Sequence, residues 1–400
     1  MTPTLTTPLT AQFTNIEVHP YYQLFDPLIS DISGGPVWPN FNQRSFERHM
    51  KCKTIDHEFD IYSKTNARLS GRFVWLGPIV DHFGHQLIEF STRIAMTASL
   101  NPNAQYLAAI QVPISDPRAI SPTNNWHYPT ITDIPPYLRG ILDWLGAPEQ
   151  RITLVTTPVV VDELEVFEQG EQMLISPKDW YLDALDKRVP EQQVRGNRVY
   201  VSRTQLKSPF GQTLGEQVIE NAFAKDGFQI LHPESVPINV QARIYADART
   251  IVVSEGSAIH GLGLLGHISA NVIVIECRNN LFQAEVFARS IAPRVDRFIQ
   301  IQAIEECIPD HGNWRAISLL DPGVLVSELL EEQIDLRTHL KQSDYWASAT
   351  QDLNIISHAI DTSNLPQNWL AGGAGLFEYE SLTRLREKLQ RRVQNHYHLE

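Results

Sequence analysis

From about residue 70 the chain alternates short apolar runs with longer amphipathic stretches. In the first half, "GRFVWLG" predicts a buried strand over residues 73–76, and "HFGHQLIEFSTRIAMTASL" spaces Leu87, Ile88, Ile94 and Ala95 at a roughly helical period. "QYLAAIQV" reads as a strand, "DIPPYLRGILDWLG" as a helix stopped by Gly146, and "RITLVT" and "VVVDELEVF" as further strands. "ISPKDWYLDALDKRVPEQQVRGN" reads as a helix and a polar crossing, which sets a boundary within residues 185–197.

The second half is more regular. "RVYVSR", "FQIL", "RTIVVS", "NVIVIE" and "DRFIQIQ" read as strands, separated by the helical patterns "TLGEQVIENAFAKDG", "INVQARIYADA", "SAIHGLGLLGH" and "LFQAEVFARSI". Strict alternation of this kind predicts a parallel sheet covered on both faces. Ligands of such sheets lie beyond the carboxyl ends of the strands, where helix N-termini converge. The predicted class is α/β: an irregular lead-in over 1–65, Rossmann-like β/α/β units over 66–190 and 191–322 facing a cleft, and a helical extension over 323–400.

Composition narrows the function classes. With 42% hydrophobic and 20% charged residues the chain reads as globular, and its net charge of −13 disfavours a nucleic-acid partner. Cys52, Cys277 and Cys307 are too few and too scattered for a disulfide framework, so a reducing compartment is expected. "MTPTLTTPLTAQFTNIEVHP" has neither the charged nor the apolar part of a secretory signal, and no run approaches 18 apolar residues. The expected location is the cytoplasm, with attachment to the inner face of the membrane as an option. That option comes from the last helix, where Leu382, Leu385, Leu389 and Val393 form a stripe and Arg384, Arg386, Lys388, Arg391 and Arg392 make the rest basic. A solvated face is the plain reading; a peripheral membrane or protein contact is the alternative.

Three stretches carry candidate chemistry. In "VVSEGSAIHG" a strand runs into a helix start, so Gly256 and Ser257 would offer backbone N–H groups to a diphosphate, with Glu255 and His260 beside them. A Ser-capped helix in any α/β protein would look the same. "VYVSRTQLK" places Arg203 at a strand end and Lys207 shortly after, cations suited to phosphate oxygens; surface salt bridges are the alternative. "DHFGHQLIE" gathers Asp81, His82, His85 and Glu89, with 85 and 89 on one helix face. His82, His85 and Glu89 could hold a metal, His85 and Glu89 could form a structural hydrogen bond, or His85 or Asp81 could be a general base with Glu89 fixing its position. The dinucleotide-binding, P-loop, zincin and nucleophile-elbow motifs are all missing from the sequence.

These phrases resemble the glycosyltransferase 61 family, also described as DUF563 and associated with capsular polysaccharide synthesis. "DHFGHQLIEFSTRI" matches its N-terminal phrase through Phe83, His85, Glu89 and Arg93. "VYVSR", "GEQVIENAFAKDGFQIL", "VQARIYADAR" and "VVSEGSAIH" match its C-terminal phrases through Arg203, Glu216, Phe228, Gln241 and the Gly256–Ser257 turn. Gly215 stands where the family usually has Asn, and Gln86 follows His85 where an aromatic is common. The resemblance implies a GT-B architecture and inverting transfer of sugar from a nucleotide-sugar donor to a glycan or polysaccharide hydroxyl, with no metal and no cofactor besides the donor. Arg203, Gly256 and Ser257 would hold the diphosphate, with Lys207 beside them, His85 would be the base, and Glu255 and His260 would orient the donor. A nucleotide-sugar epimerase on the same scaffold and a non-catalytic nucleotide- or glycan-binding protein are the alternatives.

Overall fold

The computed structural model describes residues 7–26, 29–38, 49–50, 53–54, 65–112, 130–189, 196–206, 212–308, 316–361 and 379–397. Lys207 and Cys52 lie outside the described residues.

The mixed α/β fold contains two main sheets. The first has six strands, β1 (Thr10–Asp26), β2 (Ile29–Pro36), β5 (Arg68–Ile79), β6 (Tyr106–Val112), β7 (Ile152–Val155) and β8 (Val159–Phe167), in the order β2-β1-β8-β5-β6-β7. A two-stranded hairpin, β3 (His49–Met50) and β4 (Lys53–Thr54), stands apart from it. β5, β6, β7 and β8 pair in parallel, as a β/α/β unit requires, but β1 lies antiparallel to both β8 and β2. Beyond its register shift between His19 and Tyr22, β1 also pairs with β6, so the sheet curls into a half-barrel.

The stretch read as an irregular lead-in therefore supplies the longest strand of the first sheet. Its period-two pattern is hidden because Asn15 adopts a left-handed backbone (φ 52°). Phe13 precedes that residue and Ile16 and Val18 follow it, yet all three pack against one cluster. Inward positions thus change phase at Asn15, and simple alternation fails as a signal.

The second sheet follows the sequence pattern closely. β9 (Asn197–Val201), β10 (Gln229–Leu231), β11 (Ala248–Ser254), β12 (Ile268–Ile275) and β13 (Val295–Ile301) are all parallel, in the order β10-β9-β11-β12-β13. A small antiparallel pair, β14 (Ile304–Ile308) and β15 (Ile317–Leu320), follows. Val199, Val201, Ile251, Val253, Val272 and Val274 face one cluster, while Tyr200, Val252, Ile273 and Ile275 face another. A parallel sheet buried on both faces needs apolar residues in both phases, which is what these strands contain.

The cluster containing Val199 and Val253 also contains Val74, Leu76, Leu87, Ile88 and Ala108 from the first half. One core thus runs between the sheets. Polar ties cross the same seam: Trp144 Nε1 donates to the Leu264 carbonyl at 2.8 Å, and His267 N–H donates to Asp186 at 2.7 Å. Deeper in, the Arg294 guanidinium bonds the Glu171 carboxylate, with both side chains almost fully buried, and Ser290 donates to the other oxygen of Glu171.

Behind the second sheet, helices Pro322–Glu331, Gln342–Asp361 and Tyr379–Tyr397 close the other core. Leu385 and Leu389 of the last helix are buried there. Its cations are largely engaged within the chain: Arg384 and Lys388 pair with Glu306, and Arg392 with Glu305, whereas Arg386 and Arg391 are exposed.

Removing one member of a buried ion pair strands the other charge in a low dielectric. Glu171→Ala is expected to lower the unfolding free energy by about 3–5 kcal/mol in denaturant titrations. A loss below about 1 kcal/mol would show that Arg294 finds other solvation and that the pair does not hold the seam.

Candidate active site

The helix expected over residues 83–100 is interrupted where the chemistry lies. A helical turn at Phe83–His85 passes into a π-helical turn at Gln86–Phe90, and an α-helix resumes at Ile94–Leu100. Side chains cause the break. Gln86 accepts from the Val80 N–H at 2.9 Å and donates to Ser91 Oγ at 2.8 Å, pinning the turn to the end of β5. The Glu89 carbonyl is claimed by Gln169 and by Thr92 Oγ1, while the Ser91 N–H reaches back five residues to the Gln86 carbonyl at 2.9 Å. Such π turns are frequent at functional sites.

Within this turn His85 Nδ1 lies 2.5 Å from Glu89 Oε2. The Glu89 side chain is fully buried and that of His85 is 16% exposed. With Glu89 ionised, its carboxylate can only accept, and the matching tautomer of His85 carries its proton on Nδ1 and presents Nε2 as an acceptor. His82 Nδ1 accepts from the His85 N–H at 3.3 Å, so this ring caps the turn. Asp81 accepts a hydrogen bond from the Tyr137 hydroxyl.

The second half meets this turn through residues 257–264. They form a 3₁₀ rather than an α-helix, preceded by Gly256 in extended conformation. The first bond inside the helix is from the Ile259 N–H to the Gly256 carbonyl at 3.2 Å, so the amides of Ser257 and Ala258 precede it, and Ser257 is exposed. One turn on, His260 is buried against Gly84: a Cβ on Gly84 would come within 2.6 Å of the His260 ring. Burial, with His85 and His82 alongside, pushes the His260 pKa down to about 3, so the ring is neutral at physiological pH.

At the start of the same helix, a Cβ on Gly256 would meet the Arg203 guanidinium at 2.6 Å. Arg203 donates to the Glu255 carbonyl, and its own N–H donates to Glu216 Oε1 at 3.1 Å. Glu216 is buried, which raises its pKa against the opposing pull of Arg203. A cavity of about 170 Å³ opens beside Arg203, Thr204, Gln212 and Glu216. The Glu255 carboxylate turns back to the sheet edge and accepts from the N–H groups of Cys277 (2.8 Å) and Arg278 (2.9 Å).

The fold thus brings together His82, His85, Glu89 and His260 one turn into the 3₁₀ helix, and Arg203, Glu255 and Gly256 at its start. With about 2 Å of rise per residue, Gly256 and His260 are about 8 Å apart along the helix. Among the described residues, the acidic and histidine side chains whose ligand atoms converge as a metal would need are Asp183, Asp186 and His267, away from His85.

Sequence reasoning missed Arg278. It follows β12 as Arg203 follows β9, and it is a mostly buried cation whose pKa is lowered by burial and by Arg203, against the pull of Glu255. The signal was available in "VIVIECRNN", a second strand ending in a cation. Tyr137 and Gln169 were also missed, and only tertiary structure reveals them, since they approach from 56 and 80 residues away.

Residues 83–267 match the family model described as Glycosyltransferase 61. No curated protein gives a significant match to the chain. The matched segment runs from the π turn through the 3₁₀ helix and contains His85, Glu89, Arg203 and His260, so the class of protein it is similar to is the glycosyltransferases. Over this segment, which is under half of the chain, the protein is similar to the glycosyltransferase 61 family, in line with the resemblance of its sequence phrases.

The buried, neutral His260 has a pH consequence. Its folded pKa of about 3 lies below the ordinary 6.5, so between these values the unfolded chain binds a proton that the folded chain refuses. The contribution is complete above pH 6.5 and is lost as pH falls toward 3. From pH 7 to 4 the wild type is expected to lose on the order of 3 kcal/mol more stability than His260→Gln, measured by denaturant titration at each pH. Parallel curves for the two proteins would refute the burial of a neutral ring.

Proposed function

We propose that the protein is an inverting glycosyltransferase that moves a sugar from a nucleotide-sugar donor to a hydroxyl of a glycan or polysaccharide acceptor. The observation that carries this reading is the 3₁₀ helix 257–264, which has a His–Glu dyad against its His260 face and Arg203 against the glycine before its first turn. In the GT-B reading, residues 66–190 supply the acceptor side and residues 191–322 the donor side.

In the reaction, the acceptor hydroxyl oxygen attacks the anomeric carbon as the bond to the diphosphate breaks. The hydroxyl proton passes to His85 Nε2, and Glu89 stabilises the imidazolium. Asp81, already accepting from Tyr137, is the second candidate base. Negative charge grows on the departing diphosphate, where Arg203, Arg278 and the amides of Gly256 and Ser257 oppose it. Those cations and dipoles are the grounds for proposing metal-independent transfer. Lys207, four residues after Arg203 in the sequence, is proposed on sequence grounds alone as a further cation for the donor. Glu255 acts there by holding the Cys277–Arg278 backbone, and His260 by seating the helix against the His85 turn.

The proposed setting is the cytoplasm. Among the described residues no helix is long and apolar enough to cross a membrane, and Cys277 and Cys307 are free thiols. Exposed Arg386 and Arg391 are the cations the last helix offers to a peripheral contact at the inner membrane face.

Thermal-shift titration with UDP, GDP, CMP and dTDP in EDTA is expected to give a selective shift with one nucleotide. Arg203→Ala is expected to weaken that nucleotide by about tenfold or more, the worth of a charge-assisted hydrogen bond. His85→Ala should leave nucleotide affinity unchanged and lower transfer by about 10²-fold or more. Unmodified transfer in His85→Ala would reject the base assignment, and a shift that needs Mn²⁺ would reject metal independence.

A further inference from the structure

A second cavity, of about 380 Å³, opens at the same sheet edge beyond the carboxyl ends of β12 and β13. That volume falls in the range of roughly 300–1,000 Å³ usual for small-molecule sites. Its lining differs in kind from the surroundings of Arg203. Glu276 follows β12 directly, Gln302 follows β13, and Asn279, Asn280 and Leu281 form the wall where helix Leu281–Ile291 begins. Among the described residues no Lys, Arg or His lines it.

Glu276 is only 6% exposed, and its Oε1 atom has no hydrogen-bond partner. A buried polar atom left unmatched costs about 1–3 kcal/mol, more when it is charged, so a native fold that keeps one calls for an explanation. Glu305 and Glu306 also line the cavity, but they are neutralised by Lys388 and Arg392 and by Lys388 and Arg384 respectively, so they shape it more than they charge it. The surroundings of Glu276 raise its pKa, through burial first and the nearby Glu255 second, against a hydrogen bond with the Gln302 side chain.

This chemistry suits one ligand class. A phosphate would meet carboxylates and no cation. Sugar hydroxyls can donate to a carboxylate and exchange hydrogen bonds with exposed amides such as Asn279 and Gln302. The apolar face of a sugar ring would lie against Leu281, which is 80% exposed.

We propose that the cavity beside Glu276 binds an uncharged sugar ring of the substrate, with Glu276 Oε1 accepting from its hydroxyls and Asn279 and Gln302 completing the contact. The proposal rests on the glycosyltransferase reading for the identity of its ligand. It adds a division of the sheet edge, with diphosphate at Arg203 and Arg278 and sugar at Glu276.

The test compares wild type, Glu276→Gln and Arg203→Ala in two assays. Saturation-transfer NMR uses free glucose, galactose, N-acetylglucosamine and xylose, while calorimetry uses nucleoside diphosphates and the corresponding nucleotide sugars. Ring protons of at least one sugar should receive saturation from wild type and from Arg203→Ala, and about tenfold less from Glu276→Gln. Glu276→Gln should bind nucleoside diphosphates as wild type does. If the ring is the donor's, the same variant should lose about tenfold on the nucleotide sugar. If the ring is the acceptor's, only the free-sugar signal should fall. Absence of sugar contact in wild type, or equal signals from wild type and Glu276→Gln, would overturn the proposal. Failure of the donor reading would show separately, as wild type binding no nucleotide.

Discussion

The site depends on one close approach. The His260 ring occupies the space where any residue other than glycine at position 84 would place a Cβ. That contact seats the 3₁₀ helix of the second half on the π turn of the first, and so fixes where His85 stands relative to Arg203. It also removes His260 from water, leaving a neutral ring between two histidine-bearing segments. In the proposed mechanism, a charged imidazolium there would repel a proton arriving at His85.

Such an approach survives only if the two sheets cannot drift apart. The shared core supplies the area, and the Glu171–Arg294 pair, the Trp144–Leu264 bond and the Asp186–His267 bond supply direction. Around the site the polar groups fall into layers. Glu216 and Glu255 are buried and bond backbone amides, Arg203 and Arg278 lie beside them, and Glu276 faces a separate cavity. The carboxylates therefore hold the loops that carry the cations.

Much of this was legible in the sequence. The second sheet was readable because every strand is a short apolar run between amphipathic helices, and a parallel βαβ path leaves few alternatives. The dyad was readable because positions 85 and 89 face one another on any helical turn. The first sheet was less so. Asn15 shifts the phase of β1, and the antiparallel pairing of β1 with β8 joins residues some 150 positions apart by register. The π turn was hidden for a similar reason, since it exists through Gln169 and Thr92 capturing a carbonyl that an α-helix would have used. The direction of the Glu255 side chain was equally hidden, because its partners, the amides after β12, become neighbours only once the sheet forms.

The proposed chemistry condenses to one base, one departing diphosphate and no covalent enzyme intermediate. In that proposal, displacement from the face opposite the leaving group would invert the anomeric carbon. The most direct measurement is therefore proton NMR of the anomeric centre in the first product formed from an α-linked nucleotide sugar and its acceptor. A β-linked product is predicted, with His85 taking the hydroxyl proton; an α-linked first product would contradict the single-displacement account.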